Sequence, residues 1–204
     1  AVTNVTFAQY GGILTDTASV LVICDQWLQN ADGTVTQRGT TVDVRLSKDT
    51  PRWNVTAFYP ATPRRAAAPL PALAARVLNN TRIRLPVAAA ADVRSGTVSS
   101  NVLQALASLS KDHTIDVSVV ESGHPINVFG TDRPSDHPRG FAVDIWKIDD
   151  RPVVDPATYD VVAQLMRTGI SQGAYQAGGP VQLSPSSTYF SDNTHKDHIH
   201  LGFR

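Results

Sequence analysis

The chain has 204 residues, of which 42% are hydrophobic and 18% charged, and 18 acidic residues balance 18 basic ones. This composition is typical of a folded globular protein, and a net charge of zero without a Lys or Arg run argues against a nucleic-acid partner. No apolar run approaches the roughly 18 residues that a membrane-spanning helix needs, so we expect no membrane span.

Cys24 is the single cysteine, which excludes an internal disulfide and a zinc site built from several cysteines. Any metal must therefore be held by histidine and carboxylate side chains. The first residues lack the charged start and apolar core of a signal peptide, and the missing initiator Met is consistent with a trimmed fragment. The sequence alone therefore leaves export open.

The first part of the chain predicts a small β-rich module, residues 1–62. Runs of β-branched and aromatic residues, separated by turn signals, predict its strands at residues 5–10, 19–27, 41–46 and 53–59. A Pro- and Ala-rich linker follows at residues 63–71, because proline disfavours both strands and helix interiors. Residues 72–204 are assigned to a second domain.

The second domain alternates helical and extended patterns. A short helix is expected at Ala72–Leu78, and a second helix, capped by Ser99 or Ser100, carries apolar residues at helical spacing. The remaining elements are predicted as strands at residues 113–120, 140–145 and 197–203 and a helix at residues 156–167. Helices packed on a mostly antiparallel sheet predict an α+β fold.

Five of the six histidines fall after residue 120, and most of them lie in two clusters that also contain aspartate. The first cluster, residues 135–144, has the sequence SDHPRGFAVD, and the second, residues 195–200, has the sequence HKDHIH. His113, His124 and His195 are interpreted as hydrogen-bonded structural residues, because that is the commoner role of a single histidine.

Each cluster has a spacing that metal chemistry can use. In the first, a turn after His137 leads into a strand that carries Asp144 on the same side as small residues, which leaves space for an ion. In the second, His198 and His200 lie two apart in an extended segment, so both rings project from one face of the sheet. Two histidines and one aspartate provide the three protein ligands of an open zinc site, whose fourth position holds water.

Hydrolysis at such a site also needs a general base and a group that stabilises the oxyanion. Asp197, directly before the paired histidines, is the candidate base. One histidine of the pair should stay off the metal to stabilise the developing oxyanion, and His198 suits that role. Asp197 could instead orient a ligand histidine as an outer partner, and this alternative stays open.

The first cluster matches the pattern SxHxxGxAxD at every fixed position, and the second matches DHxH. Together they resemble the M15-type zinc peptidases, which are D-alanyl-D-alanine carboxypeptidases and dipeptidases related to hedgehog and lysostaphin-like enzymes. The resemblance spans about residues 70–204. It implies Zn²⁺ on His137, Asp144 and His200, with Asp197 as general base and His198 beside the oxyanion. It also implies a cell-wall peptide substrate and an extracytoplasmic enzyme, secreted or carried by a phage.

One departure from the family pattern concerns the substrate. Family members commonly continue the Ser-Gly pair with an aromatic residue and an arginine that helps to hold the substrate, whereas Ser122-Gly123 is followed here by His124. Arg133 and Ser135, in the loop before the first ligand, are the candidate substrate-binding residues. Arg133 could supply the missing guanidinium or be a salt-bridged surface residue.

The sequence therefore predicts a zinc-dependent peptidase that hydrolyses peptide bonds of bacterial peptidoglycan, either as a carboxypeptidase or as an endopeptidase. The alternative is a zinc-stabilised binding or virion-structural module whose site does no chemistry. The presence of Asp197 together with all three ligands favours the enzyme. The bond that is cleaved, the role of the β-rich module and the oligomeric state stay open.

Overall fold

In a computed structural model, the described residues, 1–49 and 51–204, form two sheets and four α-helices. The α+β class expected from the sequence is confirmed. The strands are β1 (Val2–Ile13), β2 (Thr17–Gln29), β3 (Val35–Asp49), β4 (Arg52–Pro60), β5 (Ile83–Arg84), β6 (Ile115–Val119), β7 (Ala142–Ile148), β8 (Arg151–Pro152), β9 (Gln176–Gly178), β10 (Tyr189–Phe190) and β11 (Ile199–Gly202). The helices are α1 (Ala72–Leu78), α2 (Val87–Ser95), α3 (Ser100–Leu109) and α4 (Tyr159–Ser171).

The N-terminal sheet is an antiparallel meander in the order β1-β2-β3-β4. All four predicted strands are confirmed, and each extends beyond the apolar run that indicated it. The extensions carry Thr, Asn, Gln and Arg, whose backbone groups pair across the ladder as well as those of apolar residues do. After β4, residues 61–71 form neither helix nor strand.

The second sheet has the order β10-β9-β11-β7-β6-β5, with β8 paired to β7. Its central strands are antiparallel, as expected, but the edge pairs β5 with β6 and β9 with β10 are parallel. The sheet is therefore mixed. None of the helices in the described ranges combines the length and the apolar character that a membrane-spanning helix needs.

The helices follow the predicted signals closely, with one addition. Helix α1 has the predicted bounds, and the Ser99 hydroxyl caps α3 by accepting a hydrogen bond from the Asn101 N–H. Helix α4 begins three residues after the predicted start, because a 3₁₀ turn at Pro156–Thr158 precedes it. Helix α2 was not predicted, since its alanine-rich run carries only a weak amphipathic pattern.

The hydrophobic core joins the helices to the second sheet through one cluster of buried aliphatic side chains. Its members from β7 and β11 are Val143, Ile145, Ile148, Ile199 and Leu201, and four of these, Val143, Ile145, Ile199 and Leu201, flank the candidate site residues. Because successive side chains of a strand point to opposite faces, the residues between them must point away from this core. Asp144 and His200 occupy those positions.

Strand β1 of the N-terminal sheet lies against the second sheet. The Phe7 ring stacks on the Trp146 ring of β7, with centroids 4.2 Å apart and planes 17° from parallel. Gly12 of β1 lies so close to the Phe129 side chain that a Cβ on Gly12 would be 2.2 Å from the Cβ of Phe129. The division into residues 1–62, 63–71 and 72–204 stays a prediction, and β1 contacts residues of the predicted second domain.

Candidate metal centre

Asp144 and His200 lie side by side because β7 and β11 pair in a register that places His200 opposite Asp144. Both side chains leave the sheet on the face away from the aliphatic core. Asp144 is 1% exposed and His200 is 8% exposed, so both are shielded from solvent. The register of two strands thus brings together one residue from each sequence cluster.

His137 reaches the same place from a 3₁₀ turn, His137–Arg139, that ends at Gly140. Gly140 has φ +74°, and a Cβ there would lie 2.7 Å from the backbone oxygen of Thr97, so the turn requires glycine. The His137 Nδ1 donates to the backbone oxygen of Val120 at 2.8 Å. Because a carbonyl can only accept, Nδ1 carries the proton and Nε2 presents its lone pair to the site.

The three predicted metal ligands converge. His137 Nε2 lies 3.2 Å from Asp144 Oδ1 and 3.2 Å from His200 Nδ1, and His200 Nδ1 lies 3.0 Å from Asp144 Oδ1. In a tetrahedral zinc site with bonds of about 2.0 to 2.1 Å, ligand atoms are about 3.3 Å apart. The triangle of atoms therefore has the dimensions that one such ion requires.

His124 joins this group, although the sequence indicated a structural role for it. Its ring stacks on that of His137, with centroids 4.2 Å apart, and its Nδ1 donates to the Pro125 backbone oxygen at 2.9 Å. The ligand atoms of His124, His137 and Asp144 lie within 4.8 Å of one another and could hold a metal ion. The set formed with His200 is tighter, because its ligand atoms lie 3.0 to 3.2 Å apart, and His124 lies beside it.

Burial and neighbouring charges give His200, His124 and Asp144 the protonation states that metal binding needs. Burial lowers the pKa of His200 to about 4 and holds the pKa of His124 well below its usual range, so both rings are neutral at neutral pH. Burial raises the pKa of Asp144, but His137 and His198 outweigh this effect and bring it well below the ordinary value. Neutral imidazoles and an ionised carboxylate are the species that bind metals.

Asp197 and His198 form a buried pair beside the three predicted ligands. The His198 Nδ1 donates to Asp197 Oδ1 at 2.7 Å, and its Nε2 lies 3.7 Å from Asp144 Oδ2. Burial lowers the pKa of His198, but Asp144 and Asp197 outweigh it, so its pKa is raised. The charged imidazolium is a hydrogen-bond donor at both nitrogens and a poor metal ligand.

The site opens into a cleft of about 630 Å³ that β1 and the loops around residues 124–137 and 187–195 line. Arg133 is exposed on its wall. Ser135 is 4% exposed, and its hydroxyl accepts a hydrogen bond from the His137 N–H and lies 3.3 Å from His124 Nδ1. His195, which pairs with Asp192 at 2.8 Å, also lines the cleft.

Two further residues of the site were missed by the sequence analysis. Gln9 donates to Asp144 Oδ2 at 2.6 Å, and the Tyr10 N–H donates to Asp197 Oδ2 at 3.0 Å. Both belong to β1 and are far from the two clusters along the chain. No local pattern in the sequence marks them.

Fold and site together define an α+β protein with a group of two histidines and an aspartate, two of the three buried, that could hold a metal ion. Comparison of the chain with protein-family models, with curated proteins and with solved structures finds no match. The resemblance to M15-type zinc peptidases therefore rests on the two sequence motifs.

Proposed function

We propose that the chain is a zinc-dependent peptidase in which His137, Asp144 and His200 hold one ion. The observation that carries this proposal is the convergence of three ligand atoms, each pair 3.0 to 3.2 Å apart, from two separate stretches of sequence. A buried aspartate–histidine pair adjoins them. A ligand group, an acid–base pair and an adjoining cleft are the components that metal-assisted hydrolysis requires.

Zinc is the ion that this donor set suits best. Two imidazole nitrogens and one carboxylate oxygen are the ligands found in zinc hydrolases, with a fourth position open for water. Mg²⁺ and Ca²⁺ prefer oxygen ligands throughout, so a site with two nitrogens disfavours them. A zinc ion held here would lower the pKa of bound water to about 7 and polarise a substrate carbonyl.

The neighbouring pair supplies the remaining groups. Asp197 is the general base, which accepts the proton of the attacking water and passes it to the leaving amine. His198, whose charged form the adjacent carboxylates favour, donates a hydrogen bond to the carbonyl oxygen as negative charge develops there. The hydrogen bond to Asp197 fixes the orientation of the His198 ring.

The substrate class is proposed from the motifs SxHxxGxAxD and DHxH, which resemble those of cell-wall peptidases. A cleft of about 630 Å³ is within the range of about 300 to 1,000 Å³ that binds small ligands and would accommodate a short peptide. Arg133, exposed on the wall, is suited to bind a substrate carboxylate or carbonyl. A peptide stem or crosslink of bacterial peptidoglycan fits these features, and the enzyme would act outside the cytoplasm.

The proposal is tested by digesting purified peptidoglycan and a panel of muropeptides with the chain and identifying the fragments by mass spectrometry. We expect cleavage at one kind of peptide bond, loss of cleavage after EDTA treatment, and recovery when one equivalent of Zn²⁺ is added. Stoichiometric zinc with no cleavage of any wall peptide would contradict the enzymatic function.

A zinc-stabilised binding or virion-structural module is the second candidate, and two features of the site favour it. Both carboxylate oxygens of Asp197 already accept hydrogen bonds, from Tyr10 and from His198. His124 lies close enough to supply a fourth protein ligand, and zinc with four protein ligands is typical of structural sites.

The His124→Ala variant separates the two candidates. An open catalytic site predicts that zinc affinity stays within about threefold of the wild type, because His124 then neither binds the ion nor hydrogen-bonds to a ligand side chain. Affinity is measured by competition with a chromophoric chelator. His113→Ala, whose imidazole pairs with Asp149 outside the cleft, is the matched control. A fall of 100-fold or more at His124 alone would identify a closed, structural site.

A further inference from the structure

Gln9 is a fully buried polar side chain in the middle of β1, with 0% of its surface exposed. Its amide nitrogen, Nε2, donates to Asp144 Oδ2 at 2.6 Å, and its Oε1 accepts a hydrogen bond from the hydroxyl of Ser118 on β6. An ionised carboxylate can only accept, so the amide must turn its nitrogen to Asp144 and its oxygen to Ser118. The orientation of Gln9 is therefore fixed from both sides.

The hydrogen bond from Gln9 gives the two carboxylate oxygens of Asp144 different neighbours. Oδ1 lies 3.2 Å from His137 Nε2 and 3.0 Å from His200 Nδ1, whereas Oδ2 is occupied by the Gln9 amide. His198 also faces Oδ2, but at 3.7 Å. Because Oδ2 is engaged in a short hydrogen bond and Oδ1 faces the two imidazoles, Oδ1 is the better placed of the two oxygens to bind a cation together with them.

We infer that Gln9 is a positioning residue of the metal centre, which holds Asp144 as a ligand through one oxygen. The inference rests on the metal site of the proposed function. The next residue of the same strand, Tyr10, donates its N–H to Asp197 at 3.0 Å. Two successive residues of the N-terminal sheet thus contact the proposed ligand Asp144 and the proposed base Asp197, whereas the three proposed ligands, the base and His198 all come from residues 137–200.

The test replaces Gln9 with methionine, which keeps the length of the side chain and removes both hydrogen bonds. We expect zinc affinity to fall by about 10- to 100-fold, the range for outer partners of metal ligands. In the Co²⁺-substituted protein the visible absorption bands should shift, because Asp144 is free to bind through both oxygens. The melting temperature of the metal-free variant is measured separately, so that a general loss of stability is not mistaken for a change at the metal.

Ser118→Ala is the second variant, because it removes the group that orients Gln9 without touching Asp144's side chain. Ser118→Ala should lower zinc affinity by a smaller factor than Gln9→Met does. Added to the Gln9→Met variant, it should cause no further loss of affinity. Gln26→Met is the matched control. Gln26 lies on β2 and its side chain makes one long hydrogen bond, 3.5 Å, to Thr3, so its replacement should leave zinc affinity unchanged.

The outcomes separate this inference from the proposed function. A wild-type chain that binds neither Zn²⁺ nor Co²⁺ overturns both. A wild-type chain that binds zinc and cleaves wall peptide, beside a Gln9→Met variant with the same affinity and the same cobalt spectrum, overturns only the role of Gln9. If Gln9→Met fails to fold, unchanged affinity in Ser118→Ala overturns it instead.

Discussion

Replacing Asp197 with asparagine is expected to lower kcat by about 10²- to 10⁴-fold, the usual contribution of a general base, while zinc stays bound. Asparagine keeps the size of the side chain and can still accept one of the two hydrogen bonds from Tyr10 and His198. It cannot accept the proton of the attacking water. KM should change much less than kcat, because the base acts in the transition state.

Asp192→Asn is the matched control for this experiment. Asp192 also lines the cleft and also binds a histidine, His195, but no hydrogen bond joins it to His198. We expect its kcat to stay within about tenfold of the wild type. Equal losses in the two variants, or an Asp197→Asn variant that loses zinc together with activity, would contradict the assignment of Asp197 as base. The second of these outcomes would support its role as an outer partner of the ligands.

The His200→Ala variant is expected to lose zinc affinity by about 10²- to 10³-fold and all measurable cleavage at ordinary zinc concentrations. Structural zinc sites bind with about 10 to 16 kcal/mol in total. Divided among four ligands, this total gives roughly 3 to 4 kcal/mol for one ligand. A loss of that size corresponds to a fall in zinc affinity of about 10²- to 10³-fold. Isothermal titration of the metal-free protein with Zn²⁺ measures the affinity directly.

His195→Ala controls for the loss of an imidazole from the same cleft. The His195 ring lies beside that of His200, with centroids 5.5 Å apart, but its Nδ1 is paired with Asp192. Its replacement should leave zinc affinity within about threefold, since its ring is outside the ligand triangle. Retention of full affinity in His200→Ala would show that the ion is held by the other group, His124 with His137 and Asp144.

The convergence of the two clusters could be predicted from the sequence because local geometry largely determines it. Alternation along two short strands puts Asp144 and His200 on the face opposite Val143 and Leu201, which the aliphatic core requires. A glycine that permits a left-handed turn lies three residues after His137. These features are encoded within a few residues of each predicted ligand, so the spacing of the motifs was sufficient to predict that the three side chains converge.

The contribution of the N-terminal sheet could not be predicted in the same way. Gln9 lies 135 positions from Asp144, and Tyr10 lies 187 positions from Asp197. These contacts depend on how two sheets pack, which neither periodicity nor composition specifies. In a strand pattern a glutamine is ordinarily a solvent-facing residue, so only its burial in the fold identifies it.

His124 and α2 illustrate two other limits of the sequence. A single histidine after a predicted strand has no partner spacing, and its stacking on His137 follows from the path of the loop between β6 and β7. Helix α2 buries small and polar residues, Ala88, Ala89, Asp92 and Ser95, beside a single larger aliphatic residue, Val93, so its inner face gives little contrast in hydrophobicity. In both cases tertiary contacts decide what the local pattern leaves open.

Diffraction from crystals of the zinc-loaded protein, with data collected just above and just below the zinc absorption edge, locates the ion. We expect one anomalous peak at about 2.0 to 2.2 Å from each of His137 Nε2, Asp144 Oδ1 and His200 Nδ1. A peak held by other residues, or these three side chains too far apart to share one ion, would contradict the proposed metal site.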